Sequence, residues 1–294
     1  MKCALLLALA ACSQITDDGT PWEDASMGAG TELGPPPTLR AAPGCTLRVA
    51  SWNLHLLDNP ANVLEHFRAS TMIANADIIL LQETAQYPGE AQTRTATLGT
   101  DLAMTWAHTA SHELRSGVIQ GNAILSRYPL ENIAVKRLPH VDQLLSQDRF
   151  AIAADVVVGD HRVRVASIHL DVRIQITDRI RQLDPAVTQL DERAIVGGDF
   201  NTAPWQWLES LVPLTSTEAI VGMEQAAVLD DYMASRRYVG SIPADTNTFT
   251  LPGFGMRLDN LYARAVPILA ADIEYVEGSD HWPIWFDIDV CEEL

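Results

Sequence analysis

A chain of 294 residues, 47% hydrophobic and 20% charged, has ordinary globular composition and length for one large domain or two small ones. No apolar run approaches the 18 or so residues of a membrane-spanning helix. The formal net charge of -18 repels polyanions, which argues against a simple nucleic-acid binder without excluding a nuclease whose bound cations offset the field.

The chain opens MKCALLLALAAC: one lysine, a short apolar run, then small residues before a cysteine. This is the layout of a secretory signal. Leu9-Ala10-Ala11-Cys12 resembles the bacterial lipobox, which implies a signal over residues 1–11 that is cleaved and a lipidated Cys12. The alternative is an ordinary secretory signal with a cysteine beside it. The expected location is extracytoplasmic, on a bacterial membrane. Ser13 in place of an aspartate favours outer over inner membrane. Of four cysteines, Cys45 and Cys291 remain, and export to an oxidising compartment favours a disulfide between them. Two unrelated buried thiols are the alternative.

Residues 12–44 read as a lipidated cysteine and a flexible linker: five prolines, several glycines and almost no apolar periodicity. Such a chain spans roughly 30 Å and would hold a domain clear of a bilayer. From residue 45 to 294 strand-like and helix-like runs alternate. TLRVASWNL (46–54) is a strand, 60–76 has helical apolar spacing, and DIILLQET (77–84) is a buried strand. Strand-like runs follow at 122–130 and through IAVKRL. RFAIAADVVV and RVRVASIHLD flank Gly159-Asp160, a hairpin signal. Residues 174–190 read as helix, with an interruption near Pro185. RAIVGGDFN is a short buried strand, and Pro204 suits the first turn of a following helix. MRLDNLYAR, ILAADIEYV and HWPIWFDIDV close the chain as strands. Strands joined by short turns, with a few helices, fit a two-layer sheet with helices outside.

Buried-looking strands repeatedly end in polar residues of catalytic type: Asn53, Glu83, His169 with Asp171, Asp199 with Asn201, Asp259, and Asp280 with His281. Singly, each reads as a turn former, a helix cap or a surface acid. Together they supply oxygen ligands for a hard cation and two imidazoles for proton transfer. Asp199 and Asn201 stand two apart, so on an extended segment both face one way.

ASWNL, LLQET, GNAILSRYPL, ASIHLD followed by Arg179 and Gln182, VGGDFNTAP, RLDNLYAR and GSDHWPI stand in an order that resembles the endonuclease/exonuclease/phosphatase superfamily, the metal-dependent phosphohydrolases related to deoxyribonuclease I. The resemblance covers residues 46 to about 290. It implies an α/β (α+β) fold, a four-layer α/β/β/α sandwich of two facing mixed sheets with outer helices, its site at one edge between the sheets. First and last strands are neighbours there, which supports the Cys45–Cys291 bridge. It implies Mg2+ as cofactor, with Mn2+ or Ca2+ as alternatives. Glu83 would be the main metal ligand, with Asn53 and Asp280 completing the metal site. His281, oriented by Asp259, would contact phosphate or handle a proton. Asp199 would deprotonate the attacking water, Asn201 would hold a phosphate oxygen, and His169 would stabilise the transition state or act as acid.

The implied partner is a phosphate-ester substrate, with the membrane reached through Cys12 and the chain expected as a monomer. Arg94, Arg115, Arg127, Arg149 and Arg173 are candidates for a phosphate-facing rim, and Trp205, Trp207 and Trp282 for stacking. Acidity and the anchor favour a lipid headgroup or small phosphate ester over nucleic acid. An extracytoplasmic DNA endonuclease and a non-catalytic phosphate-binding lipoprotein are the alternatives.

Overall fold

The computed structural model describes residues 15–16, 21–25, 30–37, 44–141, 147–203, 206–208, 212–214, 224–251 and 254–292. The signal segment 1–11 and Cys12 lie outside the described residues, as do Pro204 and Trp205.

Before the first long strand come β1 (Ile15–Thr16), β2 (Glu23–Asp24) and β3 (Thr31–Leu33). The first half of the domain follows as β4 (Thr46–Asn53), α1 (Pro60–Ala69), β5 (Ile78–Gln86), α2 (Arg94–Asp101), β6 (Thr105–Glu113) and β7 (Ile119–Ser126). The second half contains β8 (Leu130–Arg137), β9 (His140–Val141), β10 (Phe150–Val158), β11 (His161–His169), α3 (Ile176–Thr188) and β12 (Ala194–Asp199). Then come β13 (Gln206–Leu208), β14 (Val212–Leu214), α4 (Glu224–Ser235), β15 (Val239–Gly240), β16 (Phe249–Leu251), β17 (Phe254–Met256), β18 (Asp259–Arg264), β19 (Ile268–Ile273) and β20 (Ile284–Asp289).

Two seven-stranded sheets face each other, ordered β19-β20-β4-β5-β7-β6-β3 and β15-β18-β12-β11-β10-β8-β2. Each has a parallel pair near its centre, β4/β5 and β11/β12, joined through α1 and α3. Every other pairing is antiparallel, so the four central strands all end at one edge of the sandwich. Alternate residues of both sheets meet in the middle. Leu47, Val49, Ile78 and Leu80 pack with Val163, Val165, Ile195 and Leu261. The opposite parity packs outward, Trp52, Ile79 and Leu81 on Val63 and Phe67 of α1, Ile168 and Val196 on Leu183 of α3. These are the four layers expected of the sandwich.

Cys45 and Cys291 form the disulfide, their Cα atoms 5.3 Å apart, at the edge opposite the strand ends just named. Hydrogen bonding extends β20 to it, Val290 N–H donating to Cys45 O.

Several local expectations differ. α1 stops at Ala69 rather than 76, because Ser70 is extended and its Oγ accepts from Ile73 N–H, starting a turn. α3 runs through Pro185 without interruption. The helix expected after Pro204 is not what residues 206–208 form; they pair with 212–214 as a hairpin, in keeping with the strand preference of Trp and Val.

The stretch expected as free linker also departs from that reading where it is described. β1 pairs with β9, β2 with β8 and β3 with β6, so the chain runs as a strap along the open edges of both sheets. Unpaired edge donors and acceptors reward such cover.

Candidate functional site

On the faces that meet between the sheets, side chains grade from apolar to polar along each central strand. β4 reads Leu47, Val49, Ser51, Asn53, and β11 reads Val163, Val165, Ser167, His169. Ile195, Gly197 and Asp199 do the same on β12. The polar step begins where Gln82 Nε2 donates to Ser167 Oγ across the gap at 2.9 Å, tying the sheets together beneath the site. Side-chain volume falls at Gly197, whose Cβ would meet Leu261 Cδ2 at 2.5 Å and Leu80 Cδ1 at 2.7 Å.

The strand ends then converge on one carboxylate. Asp199, buried, accepts from Asn53 Nδ2 at 2.9 Å on Oδ2 and from Asn201 N–H at 2.8 Å on Oδ1. Its Oδ2 lies 3.6 Å from His169 Nε2 and 3.8 Å from His281 Nε2. Pairing sets these neighbours: His169 stands opposite Asp199 in the parallel ladder, and Asp259 opposite it in the antiparallel one. Burial, the largest influence, together with the charge of Asp259, raises the Asp199 carboxyl to about 7.

His281 is held by Asp259, whose Oδ2 is 2.8 Å from Nδ1. Burial alone would lower this imidazole, but Asp259 and Asp199 together raise it to about 10, so it is a cation at neutral pH. Thr248 fixes the carboxylate, donating from Oγ1 to Asp259 Oδ2 at 2.7 Å and accepting from Asp259 N–H at 3.1 Å. His169 is the opposite case. Burial first, then the charge of Arg149, lowers its pKa well below the usual value. Arg149 Nη1 lies 3.1 Å from Nδ1; an arginine only donates, so Nδ1 accepts and Nε2 carries the proton.

Glu83 reaches the site by a bulge. Leu81 pairs with Ala123 and Thr84 with Gly121, so Gln82 and Glu83 together face Asn122. Glu83 takes φ 52°, which turns its side chain out of the strand alternation and into the cavity. Its carboxylate lies 4.0 Å from His169 Nε2, and no Arg or Lys pairs with it among the described residues. That partly exposed carboxylate follows Gln82, which stands opposite Asn53 in the β4/β5 ladder, and it suits a hard divalent cation. Asp199, Asp259 and His281 form a second set, with ligand atoms within 4.8 Å of one another.

The residues expected to act are therefore gathered, with two differences. Asp280, expected at the metal, lies at the exposed rim, its Oδ1 3.3 Å from His55 Nδ1. The turn that delivers His281 inward points its predecessor outward. Asn201 shares the cavity with Asp199, but not through strand alternation: β12 ends at Asp199, and Asn201 takes φ 53° in the turn beyond, its Nδ2 donating to Leu170 O at 2.9 Å. Among the candidate rim arginines only Arg149 lines the cavity. Arg94 donates to backbone carbonyls of residues 57 and 58, and Arg127 to those of 74 and 76. Trp282 packs edge-on against Tyr275, and Trp205 lies outside the described residues.

The cavity measures about 400 Å³. Its lining also includes the apolar residues Leu114, Val172, Phe249, Met256 and Leu258, Phe249 packing on the His281 ring with centroids 4.8 Å apart. Sequence reading missed these apolar lining residues, the Thr248 brace, and His112 and Gln120 in the lining; of them only Leu258 stands in a motif, RLDNLYAR, where it reads as core.

Comparison with known proteins places this geometry. A family model described as Endonuclease/Exonuclease/phosphatase family matches residues 50–281. No curated protein matches. The structure of endonuclease/exonuclease/phosphatase from Beutenbergia cavernae is similar at TM-score 0.61 and 20% identity, over 83% of this chain and 72% of that one. The human Nocturnin catalytic domain with bound sulfate matches at 0.58 and 20%, over 83% and 93%. D. rerio TDP2 complexed with single-strand DNA product matches at 0.56 and 16%, over 83% and 97%. At these identities the likeness is one of fold.

Proposed function

The chain belongs to the endonuclease/exonuclease/phosphatase family, and from that premise we propose a divalent-cation-dependent phosphoric ester hydrolase, tethered to a bacterial membrane through Cys12, that acts on a lipid headgroup or small phosphate ester. The observation that carries the reading is the convergence of Asn53, His169, Asn201 and His281 on the carboxylate of Asp199.

Each residue has a task. A carboxyl poised near 7 suits a general base, so Asp199 orients the attacking water and takes its proton. Asn53 and the Asn201 N–H aim the carboxylate. One N–H of the Asn201 amide is engaged by Leu170 O, and the other serves a non-bridging phosphate oxygen. His281, cationic and braced by Asp259, places positive charge where phosphoryl charge grows. His169, neutral with its proton on Nε2, donates a hydrogen bond to the same charge rather than serving as an imidazolium acid. Glu83 with Asn53 would hold Mg2+, which supplies Lewis-acid neutralisation of the phosphoryl and leaving oxygens.

The cavity favours a compact ester. Among the described residues Arg149 is the one Arg or Lys lining it, and Leu114, Val172, Phe249, Met256 and Leu258 add apolar surface. Binding along a nucleic-acid strand draws on a basic groove. The test is the processed full chain with Mg2+ and three substrates: bis(p-nitrophenyl) phosphate, zwitterionic phospholipid vesicles and supercoiled plasmid, beside His281→Ala. Ester or lipid turnover that vanishes in the variant is expected. Plasmid nicking that vanishes in it would make the protein a nuclease. Folded protein that turns over none of the three would leave a phosphate-binding lipoprotein.

A further inference from the structure

The strap ties the N-terminal segment to one end of the domain. Ile15 pairs with Val141 and Thr16 with His140, so β1 lies on β9. β9 follows β8, whose last residue Arg137 stands beside Phe150 at the start of β10; Ala151 in turn stands beside Ile168. β9 therefore extends beyond the strand ends that carry His169. Side chains confirm the adjacency. Gln182 Nε2 donates to Pro139 O at 3.1 Å, while its Oε1 accepts from Asp171 N–H at 2.8 Å, two residues past His169. Asp171 Oδ2 also accepts from the N–H of Gln147, which lines the cavity. From β1 the strap runs through β2 and β3 away from this edge, to Cys45 at the opposite edge.

Cys12 lies three residues before Ile15, and three residues reach at most about 10 Å. An anchor on Cys12 is thus confined near the mouth of the cavity, where a free 33-residue linker would have left every orientation open. The same edge carries an aromatic pair. β19 ends and β20 begins there, since Ile273 stands opposite Ile284 and Ile284 opposite Ser51. Between them Tyr275 is 70% exposed and packs edge-on against Trp282, ring centroids 4.6 Å apart. Tyrosine and tryptophan with one apolar and one wet side favour the headgroup region of a bilayer.

We propose that the catalytic mouth faces the bilayer that holds the Cys12 lipid, so that the phosphate it receives lies in the headgroup layer of that bilayer. The inference rests on the hydrolase and lipid-anchor readings above. Glu277 and Asp280 are exposed beside the aromatic pair, and the chain carries a net charge of -18. An acidic face is repelled by anionic lipid, so the fitting surface is zwitterionic.

The test uses lipidated full chain in phosphatidylcholine vesicles with brominated acyl chains. An environment-sensitive fluorophore is attached through Tyr275→Cys or through Leu269→Cys. Leu269, 54% exposed, adjoins Ile268, which pairs with Ile288 at the opposite edge. The label at 275 should lose fluorescence to the bromines and the label at 269 should not. A 20-residue Gly/Ser insertion after Gln14 should relieve the quenching, while the protein stays on the vesicles. Equal quenching at both positions, or more at 269, overturns the inference. If the protein fails to partition into vesicles and Cys12→Ala behaves the same, the anchor reading fails instead. If 275 is quenched but bilayer lipid is not turned over by enzyme that hydrolyses bis(p-nitrophenyl) phosphate, the orientation stands and the headgroup substrate falls.

Discussion

Arg149 donates to His169 Nδ1 at 3.1 Å, and both side chains are buried. The pairing is unusual in its sign, since a cation rather than a carboxylate orients the imidazole. A carboxylate would favour the charged ring; an arginine keeps it neutral with the proton on Nε2, facing Asp199 and Glu83. Replacement by methionine keeps the length and removes the donor. Arg149→Met should lower kcat/KM by about 10–100-fold, the usual cost of losing a group that orients a site residue. 15N NMR of His169 should show the Nδ1-protonated tautomer appearing. Unchanged tautomer with lost activity would mean Arg149 serves the substrate alone.

In the proposed reaction Asp199 and His281 act on the same phosphate, and Asp259 joins them in one network. Asp199→Asn and His281→Ala should each cost about 10³-fold or more in kcat. The double variant should be little worse than either single one, because neither half works without the other. Steady-state rates on bis(p-nitrophenyl) phosphate decide it. Multiplying losses would show that the two residues contribute independently.

The parts of this site visible in sequence are those set by strand alternation. Asn53, His169 and Asp199 end strands whose apolar residues have the same parity, so their direction was fixed by the core behind them. Asp280 broke the pattern because a turn, not a strand, sets its direction. The bulge at Glu83 depends on the register of β7, about forty residues away, which no local pattern encodes. Thr248 reaches Asp259 from a loop with no motif. The strap was the largest departure. Proline, glycine and low hydrophobicity report what a segment lacks, whereas its placement comes from backbone groups exposed on β6, β8 and β9.

His108 should make stability sensitive to acid. It is buried on β6, neither ring nitrogen has a partner, and burial lowers its pKa to about 4. Unfolded, it would take up a proton near 6.5. The unfolded state thus binds more protons between those values, and stability falls as pH drops from 6.5 towards 4, by about 3 kcal/mol for this residue. Above 6.5 the contribution is flat. His108→Leu should flatten that part of the profile in urea titrations, without loss at pH 8. An unaltered slope would assign the acid sensitivity elsewhere.

The Cys45–Cys291 bridge closes nearly the whole domain, 246 residues apart in sequence. Cross-linking a loop that long restricts the unfolded chain strongly, so Cys45→Ser with Cys291→Ser should cost about 2–5 kcal/mol. At roughly 2–4 °C per kcal/mol for a domain of this size, Tm should fall by about 4–20 °C. kcat should stay near its starting value, because the bridge lies at the edge opposite the site. A large loss of kcat in folded protein would show that the far edge governs the geometry of the near one.

Gly198 separates the two requirements of the strand beneath Asp199. A Cβ there would overlap the carbonyl oxygen of Ile168 on the neighbouring parallel strand, and backbone cannot swing aside as a flexible side chain does. β11 and β12 would have to part just where His169 and Asp199 stand side by side. Gly198→Ala should therefore destabilise by about 3 kcal/mol or more, with activity lost even in the fraction that folds. Gly159 provides the comparison. It turns the β10–β11 hairpin at φ 60° with nothing near its Cβ position, so Gly159→Ala meets only backbone strain, about 1 kcal/mol, and should leave kcat unchanged. Urea unfolding and single-substrate kinetics on both variants separate steric overlap from strain. Equal losses in the two would mean that the close approach of β11 and β12 at Gly198 relaxes in solution.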